Sequence, residues 1–154
     1  MSASPTRFSD RSRATPRAVI GREIGDRLNP AEINDLAYRC GQPMRPEERL
    51  AIALSHSYCC ITARLLADET LVGFVRAVSD GILNATLWDL WVDPSLPDPR
   101  STKGQMLDRM LRELKRDIPG CSVSAFADPE DVELLQRLEF VVDPSGIRGM
   151  RFDV

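Results

Sequence analysis

Short segments in which apolar residues alternate with polar ones, or follow one another without a break, predict β-strands along the chain. They lie at residues 18–24, 58–66, 71–78, 85–92, 121–126, 140–142 and 150–153. Turn-forming residues separate the second, third and fourth segments, with Asp68-Glu69 in one gap and Ser79-Asp80-Gly81 in the other. We therefore predict that these three strands form an antiparallel meander.

Apolar residues at helical spacing predict four helices between the strands. Asn29 suits the cap of the first helix, Pro30 suits its first position, and Gly41 ends it. The helices are predicted at residues 30–40, at 46–57, in the stretch that follows Pro99 and ends at Pro119, and at 128–138. The third carries an apolar stripe of Met106, Leu107, Met110, Leu111 and Leu114. The order β-α-α-β-β-β-α-β-α-β-β indicates an α+β fold.

Length and charge narrow the class of protein. The 154 residues suffice for one domain, and 43% hydrophobic residues suffice for one core. The net charge of −3 offers no general attraction to nucleic acid, and no apolar run is long enough to cross a membrane, so neither is an expected partner. Residues 1–17 are rich in Arg, Ser, Thr and Pro, so we expect a flexible N-terminal tail before a domain at residues 18–154.

The cysteines and the histidine argue against a metal centre. No C-x-x-C pair occurs, and His56 is the one histidine of the sequence. A structural zinc site takes four Cys or His ligands in paired spacings, so no metal is expected. The four thiols are Cys40, Cys59, Cys60 and Cys121. Together with the absence of a secretory signal, they favour a reducing compartment, which is the cytoplasm or the plastid stroma.

Several motifs in this order resemble the GNAT (GCN5-related) N-acetyltransferase family. The sequence LWDLWVDP at residues 87–94 precedes the long helix, where members have a strand that ends in V-x-P, a glycine-rich turn and a helix. Residues 126–140 resemble the last helix and strand of the family. Similarity to the cyanobacterial and plastid branch, which includes enzymes similar to serotonin N-acetyltransferase, lies at residues 38–41, 45–49 and 143–150. The resemblance spans residues 18–152.

The resemblance implies both a fold and a reaction. The fold is a mixed, mostly antiparallel central sheet flanked by helices, with a V-shaped cofactor cleft. The reaction moves an acetyl group from acetyl-CoA, used as a cosubstrate, to the primary amine of an arylalkylamine, a protein N-terminus or a lysine. Such a transfer requires an amine without its extra proton, a polarised thioester carbonyl and a proton for the leaving thiolate.

Asp89 and the strand residues after it are the first candidates for the site. Many family members carry an acidic base at the position of Asp89, and a carboxylate beside an amine can accept its proton. The alternative is an ordinary strand-end residue bonded to a turn. Members hold the pantetheine along the strand that corresponds to Leu90, Trp91 and Val92, where a β-bulge separates the strand from its neighbour.

The loop before the long helix departs from the family pattern. Members place a glycine-rich loop there, whose backbone approaches the diphosphate at a helix N-terminus. Gly104 matches its last position, but Thr102 replaces another glycine, and Thr102 with Gln105 predicts a capping box. Arg100 and Lys103 offer positive charge instead. The resemblance implies cofactor contacts from Arg100, Thr102, Lys103 and Gly104.

The region of the last helix departs from the pattern as well. Leu135 occupies the position of a tyrosine that often protonates the CoA thiolate, and a leucine donates no proton. Asp128 replaces a family asparagine near the cofactor, with a plain helix cap as its alternative role. Glu139 replaces a glycine after this helix, where a left-handed residue is common. The resemblance places Asp128 and Leu135 near the cofactor.

Two functions follow from these matches and departures. The first is an active N-acetyltransferase that acts on a small-molecule or protein amine. The second is a GNAT-like module whose catalysis is weakened or lost and which serves as a binding or regulatory partner. A protein partner or a second copy of the chain is a candidate in either case.

Overall fold

The computed structural model describes residues 15–142, 145–146 and 150–153. Its strands are β1 Ala18–Glu23, β2 Cys59–Leu65, β3 Leu71–Ser79, β4 Asn84–Val92 and β5 Ser122–Ala125. Its helices are α1 Pro30–Arg39, α2 Glu47–Ser55, α3 Pro99–Asp117 and α4 Val132–Arg137, with short 3₁₀ turns at Gly25–Arg27 and Pro129–Asp131. These bounds confirm the first five predicted strands and the four predicted helices. None of these helices is both long and apolar enough to cross a membrane.

The strands form one sheet in which chain order is also spatial order, β1-β2-β3-β4-β5. Neighbours from β1 to β4 are antiparallel, which confirms the predicted meander, and β4 and β5 are parallel. A parallel pair needs a crossover connection, and α3 supplies it. The α+β class and the mixed, mostly antiparallel sheet flanked by helices are therefore confirmed.

Helices cover both faces of the sheet. α1 and α2 pack on the face that carries Phe74, and α3 and α4 pack on the face that carries Val75. Successive strand residues point to opposite faces, so the adjacent Cys59 and Cys60 enter different hydrophobic clusters. Leu111 of the α3 stripe is half-buried. The buried members of that stripe are Met106, Leu107, Met110 and Leu114.

The ends of α1 and α4 follow the predicted local chemistry. The Asn29 side chain accepts a hydrogen bond from the Ala31 backbone N–H at 3.0 Å, and Gly41 after α1 has a φ of 70°. Glu139 has a φ of 69° just after α4. This is the left-handed position at which glycine is the usual residue, and a side chain there costs about 1 kcal/mol.

The start of α3 differs from the prediction. The helix begins at Pro99, and the Asp98 carboxylate accepts a hydrogen bond from the Ser101 backbone N–H at 2.9 Å. The capping box predicted for Thr102 and Gln105 is therefore wrong. Proline is suited to the first helical position and aspartate to the cap before it, so the helix starts one turn earlier.

The two last predicted strands are also wrong, because the described residues at 140–142 and 150–153 form no strand. Ordering a segment must be offset by buried apolar surface. Here the exposed fractions lie between 73% and 93% for Val141, Val142, Met150 and Phe152. The turn expected at residues 143–146 lies partly outside the described residues, and so does the tail expected at 1–17, which stays a prediction.

Candidate active site

β4 and β5, the last two strands in the sheet order, separate near the edge of the sheet and leave a V-shaped cleft. They are paired from Asn84 with Ser122 to Leu87 with Ala125, and β4 then continues to Val92. Beyond Leu87, that edge of β4 has no strand partner among the described residues. A cavity of about 390 Å³ lies there, lined by β4, the segment after β5 and α4. The cleft matches the predicted shape, and its open strand edge can bond a ligand.

A β-bulge re-aims the middle of β4. Between Phe74 and Arg76, β3 advances by two residues while the paired stretch of β4 advances by three, so Asp89 and Leu90 share the place opposite Val75. Asp89 has a φ of 59°, a left-handed conformation that aspartate adopts more readily than most residues. The predicted bulge is therefore present, and it begins at Asp89. A bulge of this kind commonly re-aims a side chain beside a functional site.

Two arginines bind the Asp89 carboxylate. Arg45 donates from Nη2 to Oδ1 at 2.6 Å and from Nη1 to Oδ2 at 3.0 Å, and Arg76 donates from Nε to Oδ2 at 2.6 Å. The Asp89 side chain is only 4% exposed. Burial raises the pKa of this carboxyl, but the hydrogen bonds and charges of the two guanidinium groups more than offset it, so the pKa lies below its ordinary value.

Arg45 belongs to the loop between α1 and α2, residues 40–46, and buried Asn34 of α1 fixes its backbone. The Asn34 Nδ2 donates to the Arg45 carbonyl oxygen at 2.8 Å, and the Arg45 backbone N–H donates to Asn34 Oδ1 at 2.9 Å. The Arg45 guanidinium lies 5.1 Å from the ring centroid of Trp91. The loop therefore holds a cation over both Trp91 and Asp89.

Aromatic rings border the cavity from both strands that part. Trp88 of β4 and Phe126, directly after β5, lie with their ring centroids 5.2 Å apart. They are 42% and 62% exposed. Trp91 packs against Phe74 with the ring centroids 6.4 Å apart, and both rings belong to the cluster on the face covered by α1 and α2. These rings form an apolar wall that can contact a flat ligand group.

The structure brings half of the predicted site residues together. Around the cavity lie Asp89, Leu90, Trp91, Asp128 and Leu135. Val92 instead is buried in the core on the α3 side, and its carbonyl oxygen accepts a weak hydrogen bond from Cys40 Sγ at 3.4 Å. The roles of these residues in the reaction stay predictions.

The remaining predicted cofactor residues form the first two turns of α3 rather than a loop. Arg100 pairs with Glu133 at 2.9 Å, and Lys103 Nζ lies 2.7 Å from an Asp131 carboxylate oxygen. Their charges are therefore already balanced by acids near α4, and a phosphate group would have to compete with these acids. The described residues that line the cavity do not include Arg100, Thr102, Lys103 or Gly104.

Sequence reasoning misses Asn34, Arg45 and Arg76, all of which organise Asp89. Arg76 carries a usable signal, because a charged residue inside an apolar, doubly covered strand is rarely buried without a partner. Arg45 carries a weaker one, because it begins the motif at residues 45–49 that resembles the plastid branch. Asn34 carries none, since polar residues are ordinary in an amphipathic helix.

Comparison with known proteins identifies relatives among acetyltransferases, although no family model matches the chain. It is 31% identical over 137 residues to GCN5-related N-acetyltransferase 1, chloroplastic, of Arabidopsis thaliana, across 88% of this chain and 68% of that protein. It is 35% identical over 147 residues to serotonin N-acetyltransferase 2, chloroplastic, of Oryza sativa subsp. japonica, across 92% and 70%. Other relatives from soybean and Arabidopsis are matched over 55% to 63% of their length.

A solved structure shows the same fold. A probable acetyltransferase of unknown function from meticillin-resistant Staphylococcus aureus superposes with a TM-score of 0.76 at 17% identity, across 90% of this chain and 100% of that one. Two observations point to the same family: the fold, in which β4 and β5 separate, and the sequence identity to longer relatives of which the chain covers more than two thirds. The chain belongs to the GCN5-related N-acetyltransferase family.

Proposed function

We propose that this chain transfers an acetyl group from acetyl-CoA to a primary amine. The observation that carries the proposal is the buried carboxylate of Asp89 in the cavity where β4 and β5 separate. In the reaction, a bond forms between the amine nitrogen and the acetyl carbon, the C–S bond breaks, and one proton leaves the nitrogen. Family membership supports acetyl transfer, and the named residues suggest how the protons are handled.

We infer that the cleft takes an extended thioester ligand. The open edge of β4 can bond such a ligand much as an added strand would, and Leu90, Trp91 and Leu135 offer it apolar contacts. Acetyl-CoA, when bound, supplies the activated carbonyl and a good leaving group. Arg100 and Lys103 can bind its phosphates only if they first break their ion pairs with Glu133 and Asp131. We infer that the phosphate contacts contribute less here than the strand edge does.

Proton handling falls to Asp89 and to water. Asp89 would accept the proton of the attacking amine, directly or through a water molecule. Its two arginine partners hold it ionised, which keeps it ready to accept a proton but makes it a weak base. Leu135 offers no donor, so the leaving thiolate would take its proton from water.

Among the amines, we propose an arylalkylamine as the acceptor, ahead of protein N-termini and lysines. The exposed rings of Trp88 and Phe126 border the cavity, and aromatic walls favour a flat acceptor. The rice relative is named a serotonin N-acetyltransferase, which agrees with this choice. Relatives are named chloroplastic, and we propose the plastid stroma or the cytoplasm as the location of this chain.

The first test is binding of acetyl-CoA. At about 100 times its dissociation constant, the ligand should add about 2.7 kcal/mol to the free energy of unfolding and raise the melting temperature by about 5–10 °C. The measurement is thermal unfolding with and without the ligand, with ADP as a control that offers phosphates but no pantetheine. No shift at millimolar acetyl-CoA would contradict the enzyme and favour the non-catalytic module, for which the acid-paired Arg100 and Lys103 are the supporting observation.

A second prediction concerns the missing proton donor. Leu135 is 5% exposed and lines the cavity, so Leu135→Tyr would place a phenol beside the leaving thiolate. A phenol with a pKa near 10 stays protonated at pH 7, and we expect the acetyl-transfer rate to rise about tenfold. The larger ring should cost about 1–3 kcal/mol of stability. A folded variant that binds acetyl-CoA but gains no rate would mean that position 135 is not the donor's place. Leu135→Phe is the control for ring size.

A further inference from the structure

We propose that Arg45 is a positioning residue for acetyl transfer, which acts through Asp89 by fixing the orientation of its carboxylate and setting its affinity for a proton. The inference rests on the proposed function, because it assumes that Asp89 accepts the amine proton. It adds a residue of the α1–α2 loop to a site otherwise built on β3, β4 and α4.

The geometry of the pair separates Arg45 from an ordinary surface partner. Its two terminal nitrogens meet the two Asp89 oxygens at 2.6 and 3.0 Å, a parallel arrangement that fixes the carboxylate plane. Arg76 binds only Oδ2 and is itself 15% exposed, which makes it the fixed part of the site on β3. Arg45 is 39% exposed at the cavity rim and is therefore the partner that a bound acceptor can reach.

Arg45 is also held in place by groups that do not depend on its side chain. Both bonds from Asn34 go to the Arg45 backbone, so the loop keeps its position when the guanidinium is removed. Contact with the Trp91 face orients the guanidinium itself. A side-chain variant at position 45 should consequently change Asp89 without unfolding the loop.

The charges around Asp89 make the expected direction clear. Among the described residues, its direct partners are Arg45 from the loop and Arg76 from β3. Other charged groups line the same cavity but make no ion pair with Asp89, namely Asp128, Asp131 and Arg151. One adjacent opposite charge lowers a carboxyl pKa by about 1–3 units. Removal of Arg45 should therefore raise the pKa of Asp89, and Arg76 should keep it from rising further.

The experiment compares Arg45→Met and Arg45→Lys with Arg39→Met as the matched control. Arg39 also pairs with a buried aspartate, Asp93, directly after β4 and outside the cavity lining, but it does so through one nitrogen only. The Asp89 carboxyl is titrated by ¹³C NMR and assigned with Asp89→Asn, and kcat and KM are measured across pH with acetyl-CoA and an arylalkylamine. We expect Arg45→Met to move the Asp89 titration, and the acid limb of kcat with it, upward by about one pH unit. Arg45→Lys should move both by less, and Arg39→Met should move neither.

Two results would overturn the proposal. An Asp89 titration that Arg45→Met leaves in place would show that Arg76 alone sets its proton affinity. A titration that moves while the kinetic limb stays would show that the rate does not depend on this proton. If the parent protein binds acetyl-CoA but acetylates no amine, the proposed function fails together with the catalytic part of the inference, and the NMR titration still decides whether Arg45 controls Asp89.

Discussion

Replacing Asp89 by asparagine is expected to lower kcat for acetyl transfer by about 10²–10⁴-fold, the usual effect of removing a positioned base. The amide keeps the shape of the side chain but cannot accept the proton of the attacking amine. It also loses the charge that binds Arg45 and Arg76, so we expect a loss of about 1–3 kcal/mol in the free energy of unfolding. Measurements of kcat and of the denaturation midpoint on the same variant separate the two effects.

The matched control is Asp93→Asn. Asp93 is 5% exposed, ends the same stretch of chain and binds Arg39, so its loss should cost similar stability. It lies outside the cavity lining, and its kcat should stay within a few-fold of the parent's. Equal losses of kcat in the two variants would mean that Asp89 contributes to the fold rather than to the proton transfer.

The sequence predicts those parts of the fold that depend on neighbours in the chain. The hairpins of β2, β3 and β4 and the cap at Asn29 are determined within a few residues, and they form as expected. The segments around Val141 and Phe152 have the apolar composition of strands, but strand formation also needs a face to bury, which composition cannot supply. The predicted cap of α3 at Thr102 is wrong because two capping residues compete, and Pro99 decides in favour of Asp98.

The sequence predicts the parts of the candidate site on β4 and around α4, but not the partners of Asp89. Resemblance to a family identifies Asp89, but its partners are far away in sequence: Arg76 lies 13 residues before it and Arg45 lies 44 residues before it. Pairing across such distances is set by strand register and by the path of the α1–α2 loop. The one-residue bulge at Asp89 shifts that register; the family resemblance predicts a bulge on this strand, whereas the local pattern of apolar residues does not show it.

The packing beneath the cleft should be as sensitive to substitution as the candidate proton acceptor Asp89. Leu107 is fully buried between α3 and the sheet and borders the cavity, so Leu107→Ala removes core packing directly beneath the site. A change of this kind costs about 2–5 kcal/mol, because the void left behind loses contacts as well as hydrophobic transfer energy. That is a large part of a typical domain's stability. The measurement is the midpoint of denaturant unfolding, compared between variant and parent while the dependence of the free energy of unfolding on denaturant concentration stays the same.

Leu111→Ala is the control, since Leu111 lies one turn further along α3 and is half-buried. It removes the same atoms from a position that is already partly solvated, so we expect about half the loss of stability that Leu107→Ala causes. The two leucines also separate stability from function. Loss of Leu107 enlarges the cavity under β4 and should weaken acetyl-CoA binding, whereas loss of Leu111 should leave the binding unchanged. Equal midpoints for the two variants would mean that α3 collapses into the void, and the cleft floor would then not depend on Leu107 for its shape.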